Sequence, residues 1–400
     1  MIQHHNHTIL VYRLPLWAAC LCGWLLWGSC SSEDEVLSSV SSTDGVTVEV
    51  ELSTRAQNAN DDLVTYPDDN LVGTQHATTV MIYFFKGTDE SAEYCGSYEN
   101  IGWKEHFEAI GDTKPHTKSM TYRLTHKLEK DIPYQFLAVG TNDEGTAAFE
   151  FPFTTRTTLA EAIGQLKEKS AEAIRRSEIY IGTAVYEPQK HSATHIILHR
   201  RVAGVAGWFT NVPKQVLTPV TEGVQDKLVA SLRLSLYAPQ NTKLPLLIRQ
   251  QKPNFEDYIA SAATENDAAR TTLVEIQMPA EFTVETKVNG GSFVLPIPAP
   301  ADRENHTLRL ELVNQSGQVL SIRRIKLPKN DDLDHGETGG GTGIIDTESA
   351  FRFPIIANHY YGIGSPQKPI DLKGSGTDLT ITVDPSWDEE ADLELGEKNE

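Results

Sequence analysis

Cysteine is scarce in this chain, and its few copies are unevenly placed. The 400 residues contain four cysteines; Cys20, Cys22 and Cys30 lie near the N-terminus, and only Cys95 lies beyond them. A single thiol outside the N-terminal segment cannot form an internal disulfide, so stability after export has to come from core packing. Cys95 also lacks the sequence context of an activated nucleophile.

Positive charge is scarce as well. Lysine and arginine number 35 against 55 acidic residues, which gives a formal net charge of −20 at pH 7. A chain this acidic repels the phosphates of nucleic acids, so nucleic-acid binding is excluded as a function class. An apolar content of 39% with 22% charged residues is typical of a globular protein.

The apolar run at residues 14–27 is too short to cross a membrane as a helix. It follows Arg13 and ends two small residues before Cys30, which is the arrangement of a secretory signal. Because the thiol of Cys30 can take a lipid and its new amino group an acyl chain, the segment resembles a bacterial lipoprotein signal. The prediction is a signal at residues 1–29, lipidation at Cys30 and an acidic, Ser-rich tether at 30–44; a plain secretory signal is the alternative.

Beyond the tether, short β-favouring segments dominate and are separated by Gly, Pro, Asn or Asp. Residues 46–52 alternate strictly, with aliphatic side chains on one face, and residues 80–85 form a continuous apolar run expected of a strand covered on both faces. Such a pattern favours antiparallel sandwiches and an all-β fold. The predicted strands are 46–52, 80–85, 134–139, 179–185, 196–198, 228–237, 244–248, 272–278, 282–288, 293–297, 308–313, 319–327, 351–356 and 379–383.

One segment has helical spacing. Apolar residues recur at helical intervals over residues 158–176, and Thr158 with Glu161 forms a potential capping box. The sequence therefore predicts one amphipathic helix, lying on a sheet or, alternatively, binding a partner.

Removing the signal leaves 371 residues, which suits two domains of moderate size. Pro213 ends an apolar run and polar residues follow it. The predicted organisation is an N-terminal β-sandwich at 45–212 and a C-terminal β-sandwich at 213–400.

Two apparent binding motifs do not withstand closer reading. The glycine-rich run at 339–343 follows an acidic loop and lacks a subsequent lysine, so it is interpreted as a loop and not as a phosphate cradle. His191, His195 and His199 are four residues apart in a β-favouring segment; on a strand, neighbours in this set stand about 13 Å apart, too far to share one zinc ion. With no nucleophile-elbow or zinc-protease motif either, the sequence predicts no catalytic residue, metal or cofactor.

Arg55 lies just after the first alternating strand and begins a polar, exposed-looking stretch with Ala56. A trypsin-like protease could cut between Arg55 and Ala56 and release the strand before them. The alternative is an ordinary loop arginine.

A set of segments follows a recognisable order along the chain: 82–85, 134–140, 179–183, 198–205, 211–213, 357–361 and 379–387. This order resembles the Bacteroidales fimbrillin and fimbrial-anchor family (FimA and FimB types), whose filaments are called type V pili. The resemblance spans nearly all of the chain beyond the signal, and the Ser- and acid-rich run at 31–35 is similar to the acidic tag of surface-exported lipoproteins in that phylum.

The resemblance implies two transthyretin-like sandwiches, an outer-membrane lipid anchor, and a role as a fimbrial subunit that supports adhesion. In that family a protease removes the first strand after an arginine, and a strand from a neighbouring subunit fills the groove by β-augmentation. Arg55 and Ala56 fit the cleavage position. The residues that fit the exchanged strand are Val46, Val48, Val50 and Leu52.

The position of the subunit within the filament stays open. Ala391, Leu393 and Leu395 alternate in the tail, but acidic residues crowd around them, so the tail is a weak donor strand and stalk and anchor roles remain nearly equal. An alternative function is a surface lipoprotein that binds glycan through aromatic residues, with Tyr360, Tyr361 and Trp387 as candidates.

Overall fold

A computed structural model describes residues 46–53, 77–101, 117–167, 171–249, 257, 264–298, 306–326, 350–351, 354–373, 376–378 and 381–384. In chain order the first half holds β1 (Thr47–Ser53), β2 (Thr79–Lys86), β3 (Glu93–Asn100), β4 (Thr117–Arg123), β5 (Tyr134–Thr141), α1 (Asp143–Ala148), β6 (Phe149–Glu150), a 3₁₀ turn (Leu159–Glu161), β7 (Ile163–Leu166), α2 (Ala171–Ile174), β8 (Ile179–Tyr186), β9 (Ala193–Arg200) and β10 (Ala203–Thr210). The remainder holds β11 (Ser231–Asn241), β12 (Lys243–Pro245), β13 (Thr264–Gln277), β14 (Val288–Val294), β15 (His306–Val313), β16 (Val319–Lys326), β17 (Ala350–Phe351), β18 (Tyr360–Ile363), β19 (Ile370–Asp371), β20 (Gly376–Asp378) and β21 (Ile381–Asp384).

Most of the strands stack as four layers with three apolar cores between them, and β12-β7-β6 form a separate three-stranded sheet that contributes side chains to the second core. Layer one is β4-β1-β9, and it continues through β9 into layer two, β8-β5-β2-β3. Layer three is β14-β10-β18-β21 with β19 beside β10, and layer four is β13-β11-β15-β16-β20 with β17 beside β15. The predicted all-β class is confirmed, and transthyretin-like topology stays a prediction.

Alternation along each inner strand assigns its side chains to two different cores. On β2, Ile82 and Phe84 enter the first core, between layers one and two, while Tyr83 and Phe85 enter the second core, between layers two and three. On β10, Trp208 enters that second core, whereas Phe209 enters the third core, between layers three and four. Both faces of β2 are thus covered, which confirms the interpretation of its continuous apolar sequence.

The chain passes from layer one to layer three between β9 and β10. β10 precedes the predicted boundary at 212/213, yet it pairs with β14 and β18, which follow that boundary. Asn211 ends β10 with a φ of 57°, a left-handed conformation that asparagine tolerates better than most residues. The division into domains 45–212 and 213–400 stays a prediction. β10 falls within the predicted first domain but pairs with strands of the predicted second domain.

The predicted helix at 158–176 is wrong. The capping box of Thr158 and Glu161 is present, but it begins a single 3₁₀ turn. The chain then forms β7, which pairs with β12 and β6, and among the described residues that follow, the α-helix is limited to the four residues of α2. Gly164 accounts for part of this outcome, because glycine disfavours a helix interior and a Cβ there would lie 3.1 Å from the Phe151 ring.

The predicted strand at 282–288 is also wrong. Thr283 donates its backbone N–H to the hydroxyl of Thr286 at 2.9 Å, and Thr286 returns a backbone bond to the carbonyl of Thr283 at 3.0 Å. These local bonds close a turn in place of a sheet ladder, and β14 begins only at Val288.

Candidate functional site: the β1 slot

β1 occupies a slot between two strands that are distant in sequence. It pairs antiparallel with β4 at all seven of its positions, from Thr47 opposite Arg123 to Ser53 opposite Thr117. It pairs parallel with β9 over six positions, from Thr47 opposite Ala193 to Leu52 opposite Leu198. We call the space between β4 and β9 the β1 slot.

The inward face of β1 seals the first core. Val48 and Val50 are fully buried and Val46 is 8% exposed, and all three belong to the cluster formed with β2 and β5. Met120 of β4 lies opposite Val50 and is buried in the same cluster. Burial of a valine side chain stabilises by about 1.5–3 kcal/mol, so occupancy of the slot is worth several such contributions as well as the backbone ladder.

The outward face of β1 is acidic and exposed to solvent. Glu49 is exposed and Glu51 is partly exposed, as strict alternation in a strand with one solvent face requires. The Oε2 atom of Glu51 lies 3.0 Å from Nε2 of His195 on β9. The slot therefore takes apolar side chains on one face and tolerates carboxylates on the other.

β9 can serve the slot because it separates from β8. The two strands pair at only two positions, Tyr180 with Arg200 and Ile181 with His199. A Cβ at Gly182 of β8 would lie 2.2 Å from the carbonyl oxygen of Ile197. Without a side chain at that point, β9 can cross close over β8 and present its other edge to β1.

A buried carboxylate anchors the far wall of the slot. Glu99 on β3 accepts hydrogen bonds from the backbone N–H of Thr125 (2.8 Å) and His126 (3.1 Å), which follow β4. The Tyr122 hydroxyl on β4 also donates to Glu99, at 3.0 Å. Burial by itself raises the pKa of Glu99, but these hydrogen bonds outweigh it and hold the pKa below its usual value.

The sequence-predicted site residues are placed unevenly. Val46, Val48 and Val50 line the first core together, and their role as an exchanged strand stays a prediction. Leu52 belongs to β1, although its side chain is outside the described part of the structure. Cys30, Arg55 and Ala56 lie outside the described residues.

The described histidines singled out in the sequence do not form a shared metal site, and the described aromatics are buried. His195 and His199 are on β9 as predicted, and His191 precedes that strand. Tyr360 and Tyr361 are 4% and 5% exposed, so neither ring offers a face for stacking on a sugar. Trp387 lies outside the described residues.

Sequence reasoning missed three features of the slot. β4, the Glu51–His195 contact and the Glu99 anchor were not predicted. The only advance signal for β4 is the weak alternation that ends with Met120 and Tyr122.

Within the described residues, no group of three or more His, Cys, Asp or Glu is placed to hold a metal ion, and no helix has the length and apolar character needed to span a membrane.

Comparisons with known proteins return structural likenesses only. No family model matches the chain, and no curated protein does. Solved structures similar to it include the fimbrial anchor protein Mfa2 from Porphyromonas gingivalis, at 12% identity and a TM-score of 0.38, covering 85% of this chain and 97% of that one. They also include a candidate adhesin from Bacteroides thetaiotaomicron, at 10% identity and a TM-score of 0.43, covering 85% and 95%. A candidate cell-adhesion protein from Parabacteroides distasonis matches at 12% identity and a TM-score of 0.40, covering 85% and 96%.

Proposed function

We propose that the chain is a structural subunit of cell-surface fimbriae, exported as a lipoprotein and joined to sister subunits by exchange of the strand in the β1 slot. Lipidation at Cys30 would tether it to the outer membrane, and cleavage between Arg55 and Ala56 would free β1. The observation that carries the proposal is the burial of Val48 and Val50 on a strand that precedes every other described strand.

The topology supports removal of β1 over removal of any inner strand. β1 is central in its layer, so its loss exposes the backbone groups of both β4 and β9 as well as the first core. An incoming strand can restore the ladder on both sides and refill the positions of Val48 and Val50, which is the physical basis of β-augmentation.

The outward face of β1 changes the interpretation of the C-terminal tail. Acidic residues in the tail suggested a weak donor, yet the slot already holds Glu49 and Glu51 at its outward positions. Placed in the register of β1, Ala391, Leu393 and Leu395 fall at the inward positions, with Asp392 and Glu394 outward. This agreement favours a stalk subunit, whose tail enters the slot of a second copy.

Limited trypsin treatment of the mature lipoprotein tests the proposal. We expect cleavage after Arg55, polymerisation of the cleaved protein, and loss of polymerisation when residues 389–400 are deleted. Mass spectrometry of the mature N-terminus distinguishes an acylated Cys30 from Ala56. An uncut chain with an acylated Cys30 that accepts a partner's strand in no condition would contradict the stalk role and leave the anchor role.

The control is Arg55→Gln. This variant changes one residue outside β1, and trypsin can no longer cut at that position. Polymerisation of Arg55→Gln to the same extent as the unaltered chain would show that release of β1 is not required.

A further inference from the structure

The outer face of the β1 slot carries a side chain suited to recognising the strand that fills it. His195 lies on β9 beside β1, and its side chain is 43% exposed, against 23% for Glu51. The 3.0 Å contact between Nε2 of His195 and Oε2 of Glu51 is diagonal, because Glu51 lies opposite Ile197 and His195 lies opposite Glu49.

The chemistry of this contact is one-directional. A carboxylate oxygen only accepts hydrogen bonds, so Nε2 of His195 has to carry the proton and donate it. An acidic side chain at the Glu51 position accepts this bond and gains attraction whenever the imidazole is charged. A lysine at that position would place a second donor and a like charge against the ring.

We propose that His195 makes the β1 slot selective for strands that carry a carboxylate directly after the apolar side chain at the Val50 position. This inference rests on the strand exchange proposed above and concerns which strands that exchange accepts. β1 meets the requirement with Val50 followed by Glu51, and a second copy's tail meets it with Leu393 followed by Glu394. The buried positions select strands whose side chains are apolar and of suitable shape, and His195 additionally favours strands with a carboxylate.

Peptide exchange into the full chain tests the selectivity. After trypsin has cut at Arg55, with β1 still seated, labelled peptides of residues 46–53 compete for the slot with Glu, Gln or Lys at position 51. Because a partly exposed ion pair is weak, we expect the Glu peptide to bind about two- to five-fold more tightly than the Gln peptide. The Lys peptide should be weaker still.

Two controls isolate His195. In the His195→Gln chain the preference for Glu over Gln should disappear. Peptides altered at position 49, which is exposed on the same face of β1, should bind with nearly unchanged affinity. Equal affinity of the Glu and Gln peptides, or a preference that persists in His195→Gln, overturns this inference alone; failure of every peptide to enter overturns strand exchange and this inference with it.

The intact chain provides a measurement that requires no exchange. Urea midpoints of Glu51→Gln, His195→Gln and the double variant should be non-additive, because the two side chains act on each other. Additive effects would overturn the selectivity even if peptides enter the slot.

Discussion

The two outer layers of the stack differ in how their central strands are paired. Layer one depends on β1, which is held by a parallel ladder on one side and an antiparallel ladder on the other. Layer four is built around β11, which pairs antiparallel with both β13 and β15. The polar contacts differ too. The side chains of Glu51 and His195 are 23% and 43% exposed, whereas those of Arg233 and Glu311, which link β11 to β15, are 7% and 1% exposed.

The difference bears on the strand exchange proposed above. Loss of β1 leaves β9 paired with β8 at two positions and leaves β4, the edge strand, without another strand partner among the described residues, so the slot stays open to a replacement. Loss of β11 would also leave the buried charge of Glu311 without its partner Arg233, a penalty that an incoming apolar strand could not remove. If strands are exchanged as proposed, we therefore expect the exchange in layer one and not in layer four.

The largest expected effect comes from charging the inward face of β1. Val50→Asp places a carboxylate in the first core, where Val50 is fully buried, and we expect a loss of about 4 kcal/mol or more in the free energy of unfolding of layer one. Hydrogen exchange should accelerate in β1, β4 and β9 and change little in β11 and β15.

The same substitution on the surface is the control for Val50→Asp. Val185 on β8 is 42% exposed, so Val185→Asp should alter the free energy of unfolding by less than about 0.5 kcal/mol. Equal acceleration of exchange in all four layers of Val50→Asp would mean that layer one does not open on its own.

A substitution in layer four should destabilise the opposite end of the stack. Glu311 accepts from Arg233 at 2.9 Å and from the Tyr237 hydroxyl at 2.8 Å. Glu311→Gln leaves Arg233 as a buried cation without an anionic partner, and we expect a loss of about 3–5 kcal/mol. In hydrogen exchange the effect should appear in β11 and β15 while β1 keeps its protection.

Replacing both members of the pair provides the check. The double variant Arg233→Met with Glu311→Leu removes both charges together, and such replacements are often neutral or stabilising. If this double variant is as unstable as Glu311→Gln, the loss comes from packing and not from the unpaired charge.

Strands whose side chains alternate or are continuously apolar could be predicted, because their own residues carry the pattern. Residues 46–52 and 80–85 alone indicate β1 and β2, and also their one-sided and two-sided burial. β3 could not be predicted in this way, since Gly96, Ser97 and an exposed Tyr98 interrupt it and its structure depends on pairing with β2.

Features decided by distant partners escaped prediction for the same physical reason. The helical spacing at 158–176 is real, but pairing of β7 with β12 outweighs a local preference of tenths of a kilocalorie per residue. The carboxylate of Glu51 meets His195 across 144 positions of sequence, and no local pattern reports such a contact. The buried face of β1 could thus be predicted, whereas the walls of its slot could not.

Acid should loosen layer one through His199. Burial, together with the nearby Arg201 charge, lowers the pKa of His199 from 6.5 to about 4. Between these two pKa values, His199 is protonated in the unfolded chain and neutral in the folded chain. The free energy of unfolding therefore decreases as the pH falls from about 6.5 to about 4, by up to about 3 kcal/mol. His199→Gln should flatten this part of the stability–pH profile, measured by urea unfolding; an unchanged slope would assign the acid sensitivity to other groups.

The smallest expected effect concerns the wall formed by β4. Because its pKa is lowered from 4.5, the Glu99 carboxylate stabilises the fold above that pH, and this stabilisation is lost as the pH falls below it. Glu99→Gln keeps the size but turns an amide toward the donors of Thr125 and His126, so we expect a loss of about 1–2 kcal/mol at pH 7 that vanishes in acid. Since Tyr122 lies opposite Val48, release of this anchor should also speed peptide entry into the slot; unchanged entry would show that Glu99 does not restrain β4 during exchange.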